Sequence, residues 1–121
     1  MSERAVPPSD ISPLDFFERW IPEAVNRDAG RRARIADLRA KIQFQLDGED
    51  GGNYWLHVAD GHVAGAAGVL DEPDLVLSLD VATWRRLNAG ALSAPHALLS
   101  GALRFKGSVF LALRLHFLLG G

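Results

Sequence analysis

Cysteine is absent from the 121 residues of this sequence. Its absence excludes disulfide bonds, thiolate metal sites and thiol nucleophiles. A large excess of charge of either sign is also missing, because 13 basic and 15 acidic residues leave a net charge of -2. Bulk electrostatics therefore favours neither a nucleic acid nor an anionic membrane as the partner, and we expect no nucleic-acid binding.

The sequence also lacks a long hydrophobic run. Its most apolar stretch, residues 109–119, is shorter than the roughly 20 residues that a membrane-spanning helix needs. The N-terminus contains no apolar core of a secretion signal, and the final Leu-Leu-Gly-Gly does not match a peroxisomal signal. We therefore expect a cytoplasmic protein without a membrane span.

The length fits a single domain with one hydrophobic core. Residues 1–11 hold two prolines and few apolar groups, which predicts a flexible leader before a single domain over residues 12–121. A Ser-Pro pair at residues 12–13 indicates a helix start. Pro22 has no amide hydrogen and should kink or divide that helix near Trp20.

The clearest alternation of apolar and polar residues covers residues 38–46, after a short helix predicted over residues 28–36. It predicts a strand whose polar face is in solvent and whose apolar face carries the helices. A second strand is predicted over residues 54–58. Asp60 and Gly61 then favour a two-residue hairpin, because both central positions of its mirror-type turn need positive φ.

The third predicted strand, residues 62–69, is built largely from valine, alanine and glycine. These small side chains fill neither face of a sheet. Two interpretations stay open. The strand is either an edge strand whose small side chains admit a close-packed helix, or the wall of a cavity.

The remaining elements follow in short order. The fourth strand is predicted over residues 75–79, and two short helices follow it, capped by Asp80 and Ser93. A short fifth strand contains Phe105 and leads to the last helix, whose first amides Ser108 can cap. Because runs of strands and helices are segregated along the chain, the predicted fold class is α+β.

The last helix, residues 109–119, is apolar on almost every side, and only Arg114 and His116 interrupt it. Such a helix must be covered on more than one side, by further helices, a partner chain or an apolar ligand. It ends the chain and is expected to be anchored only through Gly107. We therefore expect it to act as a movable cover over a ligand.

Three motifs in this order resemble the sterol-carrier-protein type-2 family of lipid-binding domains: residues 73–80 (PDLVLSLD), 87–90 (LNAG) and 97–107 (ALLSGALRFKG). Upstream, residues 42–44 and 54–58 occupy the places of that family's first strands. The resemblance implies a single five-stranded mixed sheet with helices over one face, which together enclose an apolar tunnel. It also implies a non-enzymatic carrier of a fatty acid, acyl thioester, sterol-like or quinone-like ligand, without a cofactor.

The resemblance further implies which apolar residues include positions that line the tunnel and bind the ligand. These residues are Phe44, Leu56, Leu77, Trp84, Leu98, Leu103, Phe105, Leu111 and Leu115. Taken singly, each is more often plain core.

Two other functions remain as alternatives. In the first, the apolar last helix docks the chain to an enzyme partner or a second copy in a homodimer, with transient membrane contact also open. In the second, His57 and His62, diagonal neighbours across the predicted hairpin, support catalysis or share a metal ion. A metal site needs a third ligand, and none is apparent on that face, so we expect solvated surface histidines and no metal.

Overall fold

The computed structural model of the protein describes residues 6–118, and the side chains as far as Leu115. Its centre is one five-stranded sheet in the order β3-β2-β1-β4-β5. The β1–β4 pair is parallel and the other three pairs are antiparallel, so the predicted mixed sheet is confirmed. The strands are β1 (Ala40–Asp47), β2 (Gly52–Ala59), β3 (His62–Ala67), β4 (Leu75–Asp80) and β5 (Arg104–Gly107).

The helices come before and after the first four strands, as the α+β class requires. They are α1 (Pro13–Asp15), a π-helical turn (Phe16–Trp20), α2 (Ile21–Asn26), α3 (Ala29–Arg34), α4 (Val81–Asn88), α5 (Ala94–Ser100) and α6 (Val109–Leu118). None of the helices in the described part of the chain is both long enough and apolar enough to cross a membrane.

The first helix is interrupted where the proline predicts it. The amide of Ile21 donates to the carbonyl of Phe16, five residues back, and closes the π-helical turn. Pro22 follows directly in α2. Because a proline cannot donate to the preceding turn, the chain widens just before it, and the predicted division near Trp20 is confirmed.

The predicted helix caps are also confirmed. Oxygen atoms of Ser12, Asp80, Ser93 and Ser108 each accept a hydrogen bond from an amide in the first turn of the following helix, at 2.6 to 3.2 Å. At the hairpin between β2 and β3, Asp60 and its following glycine have φ of 54° and 75°, so the mirror-type turn is confirmed too.

The helices cover one face of the sheet. The first helical run consists of α1, the π-helical turn and α2. Its residues Phe17, Ile21 and Val25 are buried against a sheet face that carries Ile42 and Leu56. These two strand residues are paired across β1 and β2, so alternation keeps both on the same side. The core therefore lies between this face and the helices.

Strand β3 lies at the edge of the sheet, and the π-helical turn packs against it at very short distance. A Cβ atom added at Gly65 would collide with the carbonyl oxygen of Phe17 and approach Leu56 Cδ2 to 2.9 Å. Asn26 stabilises the packing of the helices on this strand, because its side chain both donates to the carbonyl of Val63 and accepts from its amide. Of the two interpretations of this strand, the edge strand that admits a close-packed helix is confirmed.

The far face of β1 differs from the prediction. Gln43 was expected in solvent but is only 2% exposed. Its Nε2 donates to the carbonyls of Tyr54 and Gly68, and its Oε1 accepts from the amide of Leu70. The expectation is wrong here because the chain leaving β3 turns back over this face, which buries the amide while satisfying it.

The last helix is held at more than one point. Arg114 Nη2 donates to the carbonyl oxygen of Arg34 and lies 3.0 Å from Asp37 Oδ1. Leu111 is buried in the core. The expectation that this helix is anchored only through Gly107 is therefore wrong, because two side chains fasten it to the body of the domain.

The predicted leader is described from residue 6 onward. Pro7 is buried, and Arg85 Nη1 donates to the carbonyls of Ser9 and Ile11. This part of the leader therefore contacts α4. The boundary at residue 12 stays a prediction.

Candidate functional site

An apolar cavity of about 460 Å3 lies between the sheet and the helices. Its floor consists of strand residues that alternation directs toward the helices, namely Phe44, Leu56, Leu77 and Leu79. The parallel register places Phe44 beside Leu77. The cavity is thus built on the central strands, where the sheet is most rigidly hydrogen-bonded.

One wall of the cavity is aromatic. Trp84 is 4% exposed, and its ring meets that of Phe16 edge to face, with centroids 5.2 Å apart. Phe16 in turn stacks on Trp20 at 5.5 Å, and all three side chains line the cavity. The π-helical turn and α4 therefore meet at this wall.

The position of this wall depends on the cap of α4. Asp80 Oδ1 accepts a hydrogen bond of 2.6 Å from the amide of Thr83. That bond, followed by one from the Thr83 side chain, holds the pKa of Asp80 below its usual value of 3.8. Because Trp84 is the next residue, the cap places its ring at the start of the helix.

The roof of the cavity is made by α5, β5 and α6. Leu98, Phe105, Val109 and Leu113 line the cavity and are also substantially exposed. The cavity therefore reaches solvent on this side. Arg114 fixes the roof to the loop before β1 and, by its hydrogen bond, lowers the pKa of Asp37.

The structure brings eight of the nine predicted site residues to the cavity. Leu111 is the exception: it is 5% exposed and packs in the core cluster. Contact of these residues with a ligand stays a prediction, as does the closed tunnel that the resemblance implies. The eight are Phe44, Leu56, Leu77, Trp84, Leu98, Leu103, Phe105 and Leu115.

Sequence reasoning missed several lining residues, of which two are polar. Asn88 and Ser93 line the cavity, and the other lining side chains are apolar, apart from the indole nitrogens of Trp20 and Trp84, or absent, as at Gly90. Trp84 Nε1 is buried and has no hydrogen-bond partner among the described residues. A helical repeat could have indicated Asn88, because it lies four residues after Trp84 on α4 and so shares its face. Ser93 was recognised only as a helix cap.

The two histidines of the hairpin lie away from the cavity. His57 pairs with Ala64 and His62 with Ala59, so the predicted diagonal arrangement is confirmed. His57 alternates with the buried Leu56 and therefore faces the other side of the sheet. Within the described residues no group of three or more His, Cys, Asp or Glu side chains could hold a metal ion.

Comparison with known proteins agrees with this architecture. The model of the SCP-2 sterol transfer family matches residues 18–120. Hydroxysteroid dehydrogenase-like protein 2 of Xenopus laevis is 32% identical over 112 residues, which make up 92% of this chain and 26% of that protein. The chain thus spans about a quarter of the length of this curated relative.

Solved structures show the same fold at lower identity. The apo form of sterol carrier protein 2 from Yarrowia lipolytica is 21% identical with a TM-score of 0.64, covering 82% of this chain and 83% of that one. Palmitated SCP2L2 from Aedes aegypti is 16% identical with a TM-score of 0.61, covering 82% and 94%.

Proposed function

Because this chain belongs to the SCP-2 sterol transfer family, we propose that it is a non-enzymatic carrier that buries one long apolar molecule in its cavity. The ligand classes are those implied by the resemblance: a fatty acid, an acyl thioester, or a sterol-like or quinone-like molecule. A cytoplasmic location stays part of this proposal.

The observation that carries the proposal is the cavity of about 460 Å3, lined almost entirely by apolar side chains. An apolar cavity of this size loses the dispersion contacts that a packed core would have. A ligand that fills it removes apolar surface from water, at about 25 cal/mol per Å2 of surface. The partly exposed roof of Leu98, Val109 and Leu113 supplies further apolar surface that a ligand can bury.

The proposal is tested on freshly purified protein by native mass spectrometry and by extraction and identification of bound lipid. We expect one apolar molecule for each chain. Delipidated protein should then bind a fluorescent fatty acid that is added in solution. Protein that carries no lipid and also fails to bind the fluorescent fatty acid would overturn the carrier function.

A second candidate function rests on a different surface. Leu99 is 91% exposed and Phe110 is 67% exposed, and both lie outside the cavity lining. Exposed apolar side chains mark a docking surface where they form a contiguous patch, whereas single ones are normal. The greater length of the curated relatives suggests an enzyme domain as the partner, and a second copy of the chain is the alternative.

Stoichiometry separates the two functions. A carrier stays monomeric and holds a lipid, whereas a docking module self-associates or binds one protein partner. Sedimentation of the wild type and of Phe110→Asp at several concentrations distinguishes them. A dimer that Phe110→Asp dissociates would favour docking. A monomer at all concentrations would exclude the homodimer as the function of this surface.

A further inference from the structure

We propose that the end of the cavity between α4 and α5 is a subsite for an uncharged head group that both donates and accepts a hydrogen bond, such as a hydroxyl. Asn88 would be the specificity-determining residue. The proposal rests on the carrier function above and narrows its ligand to a long-chain alcohol or a sterol-like alcohol.

The first argument is the placement of the polar side chains. Asn88 ends α4, and Ser93 is the N-cap of α5. Both line the cavity, and only the short connection between the two helices separates them in the chain. The other lining side chains are apolar except for the indole nitrogens of Trp20 and Trp84. Trp84 Nε1, one helical turn before Asn88, is buried without a hydrogen-bond partner among the described residues. The polar groups therefore lie mainly along α4 and its connection to α5, and the hydrocarbon part of a ligand fits the remainder.

The second argument is the hydrogen-bonding capacity that is left at this end. Ser93 Oγ accepts from the amide of His96 at 3.2 Å, which leaves its hydroxyl hydrogen for another acceptor. Within the described residues, the Asn88 side chain makes no hydrogen bond to another group of the chain. Its amide offers two donors and an acceptor, and the side chain is half-buried.

The third argument concerns charge. An ionised carboxylate that loses its water needs a partner cation, and the side chains that line the cavity are uncharged. Of the two cations in the last turn of α4, Arg85 already bonds to the carbonyls of Ser9 and Ile11 and lies over the Trp84 ring. The other, Arg86, is exposed and lies outside the cavity lining. The helix dipoles do not change this balance, because the negative carboxyl end of α4 at Asn88 lies opposite the positive amino end of α5 at Ser93. This end therefore favours a hydroxyl over a carboxylate.

The experiment measures displacement of a neutral fluorescent probe by three ligands of equal chain length: dodecane, 1-dodecanol and dodecanoate. They are compared between the wild type, Asn88→Leu and Asn53→Leu, an asparagine replacement on β2 outside the cavity lining. We expect Asn88→Leu to weaken dodecanol binding about fivefold, the value of one net hydrogen bond. Dodecane binding should be unchanged, and Asn53→Leu should match the wild type.

Asn88→Lys supplies the complementary result, because a cation at this place should raise the affinity for dodecanoate and not that for dodecane. Equal binding of dodecanol by the wild type and Asn88→Leu would overturn the subsite, with dodecane displacement showing that the cavity still binds. Failure of all three ligands to displace the probe from any variant would overturn the carrier function and the subsite with it.

Discussion

At the scale of single residues, Gly65 controls the distance between the first helical run and the sheet. Its missing side chain lets the backbone at Phe17 lie directly on β3. We predict that Gly65→Ala destabilises the domain by about 2 kcal/mol, because the added methyl group forces this backbone away from the sheet. Chemical denaturation measures the change.

Ala64→Val is the matched control for this prediction. Ala64 is exposed and precedes Gly65 on the same strand, so its side chain faces the other side of the sheet. The larger side chain should leave the free energy of unfolding within about 0.5 kcal/mol of the wild type. Equal stability of Gly65→Ala and Ala64→Val would contradict the close contact.

Trp84 should report ligand binding by its fluorescence, because its buried ring lines the cavity. In a variant with Trp20→Phe and Trp55→Phe, Trp84 is the only tryptophan. We expect its emission to shift when the cavity fills, since the ligand replaces water or void beside the ring. A variant that retains only Trp55, on β2 and outside the cavity lining, should show no shift.

The Asp80 cap makes a prediction about pH. Its folded-state pKa is lowered, so its contribution to stability is present above the ordinary value of 3.8 and is lost as pH falls through the lower folded pKa. At neutral pH we expect Asp80→Ala to cost about 1 kcal/mol. The cost should shrink in acid, as urea unfolding of both proteins at several pH values would show.

Asp80→Asn is the control, because asparagine caps a helix about as well and does not titrate in this range. Its stability should be close to that of the wild type near neutral pH. If Asp80→Ala lost the same stability at every pH, the carboxylate charge would not contribute to the cap.

At the scale of elements, Arg114 decides how freely α6 moves. Its bonds to the Arg34 carbonyl and Asp37 fasten the roof of the cavity. We predict that Arg114→Met raises the rate at which a fluorescent fatty acid leaves by on the order of threefold, a modest change because the ion pair is partly exposed. Stopped-flow displacement measures the rate.

Arg39→Met serves as the comparison, because Arg39 also pairs with an aspartate, Asp60, at 3.0 Å but lies on the sheet side of the molecule, outside the roof and the cavity lining. Its release rate should equal that of the wild type. Equal rates for Arg114→Met and Arg39→Met would show that α6 is not a cover. The movable cover expected from the sequence would then be rejected.

The elements were predictable because each rests on a local rule. Alternation indicated the strands, and short polar side chains before apolar runs indicated the caps. Pro22 indicated the division of the first helical run. Local rules could not predict the burial of Gln43, since that depends on a loop which returns from a distant part of the chain. The anchoring of α6 by Arg114 is hidden for the same reason.

The site was predictable in outline only. Alternation and the family resemblance indicated strand residues such as Leu56 and Leu77, and the structure places them on the cavity floor. The same information could not separate Leu111 from Leu115 on α6, because both are leucines in an apolar helix. Only the packing of the helix shows that Leu111 is core and Leu115 lines the cavity.

At the scale of the whole molecule, the cavity lies between two parts of the fold: a rigid sheet and a thinner helical roof. The floor of the cavity lies on the central strands β2, β1 and β4, which are hydrogen-bonded on both sides. The roof instead uses the edge strand β5 and the exposed helix α5. Motion that admits a ligand therefore costs least at the roof, where fewer contacts must be broken.

This division predicts how affinity depends on ligand length. Each methylene group buried against the apolar walls should contribute about 0.8 kcal/mol, or roughly a fourfold gain in affinity. Because the cavity volume is limited to about 460 Å3, the gain should stop once the chain fills the cavity. Isothermal titration with a series of straight-chain alcohols measures the slope and the length at which it levels off.

Two variants test whether the rigid floor sets that length. Leu77→Ala enlarges the floor beside Phe44, so the affinity should continue to rise for longer chains. Leu111→Ala removes a similar volume from the core outside the cavity lining and should leave the limiting length unchanged while lowering stability. If the affinity rose without limit in the wild type, the ligand would be lying across the outer surface and not inside the cavity.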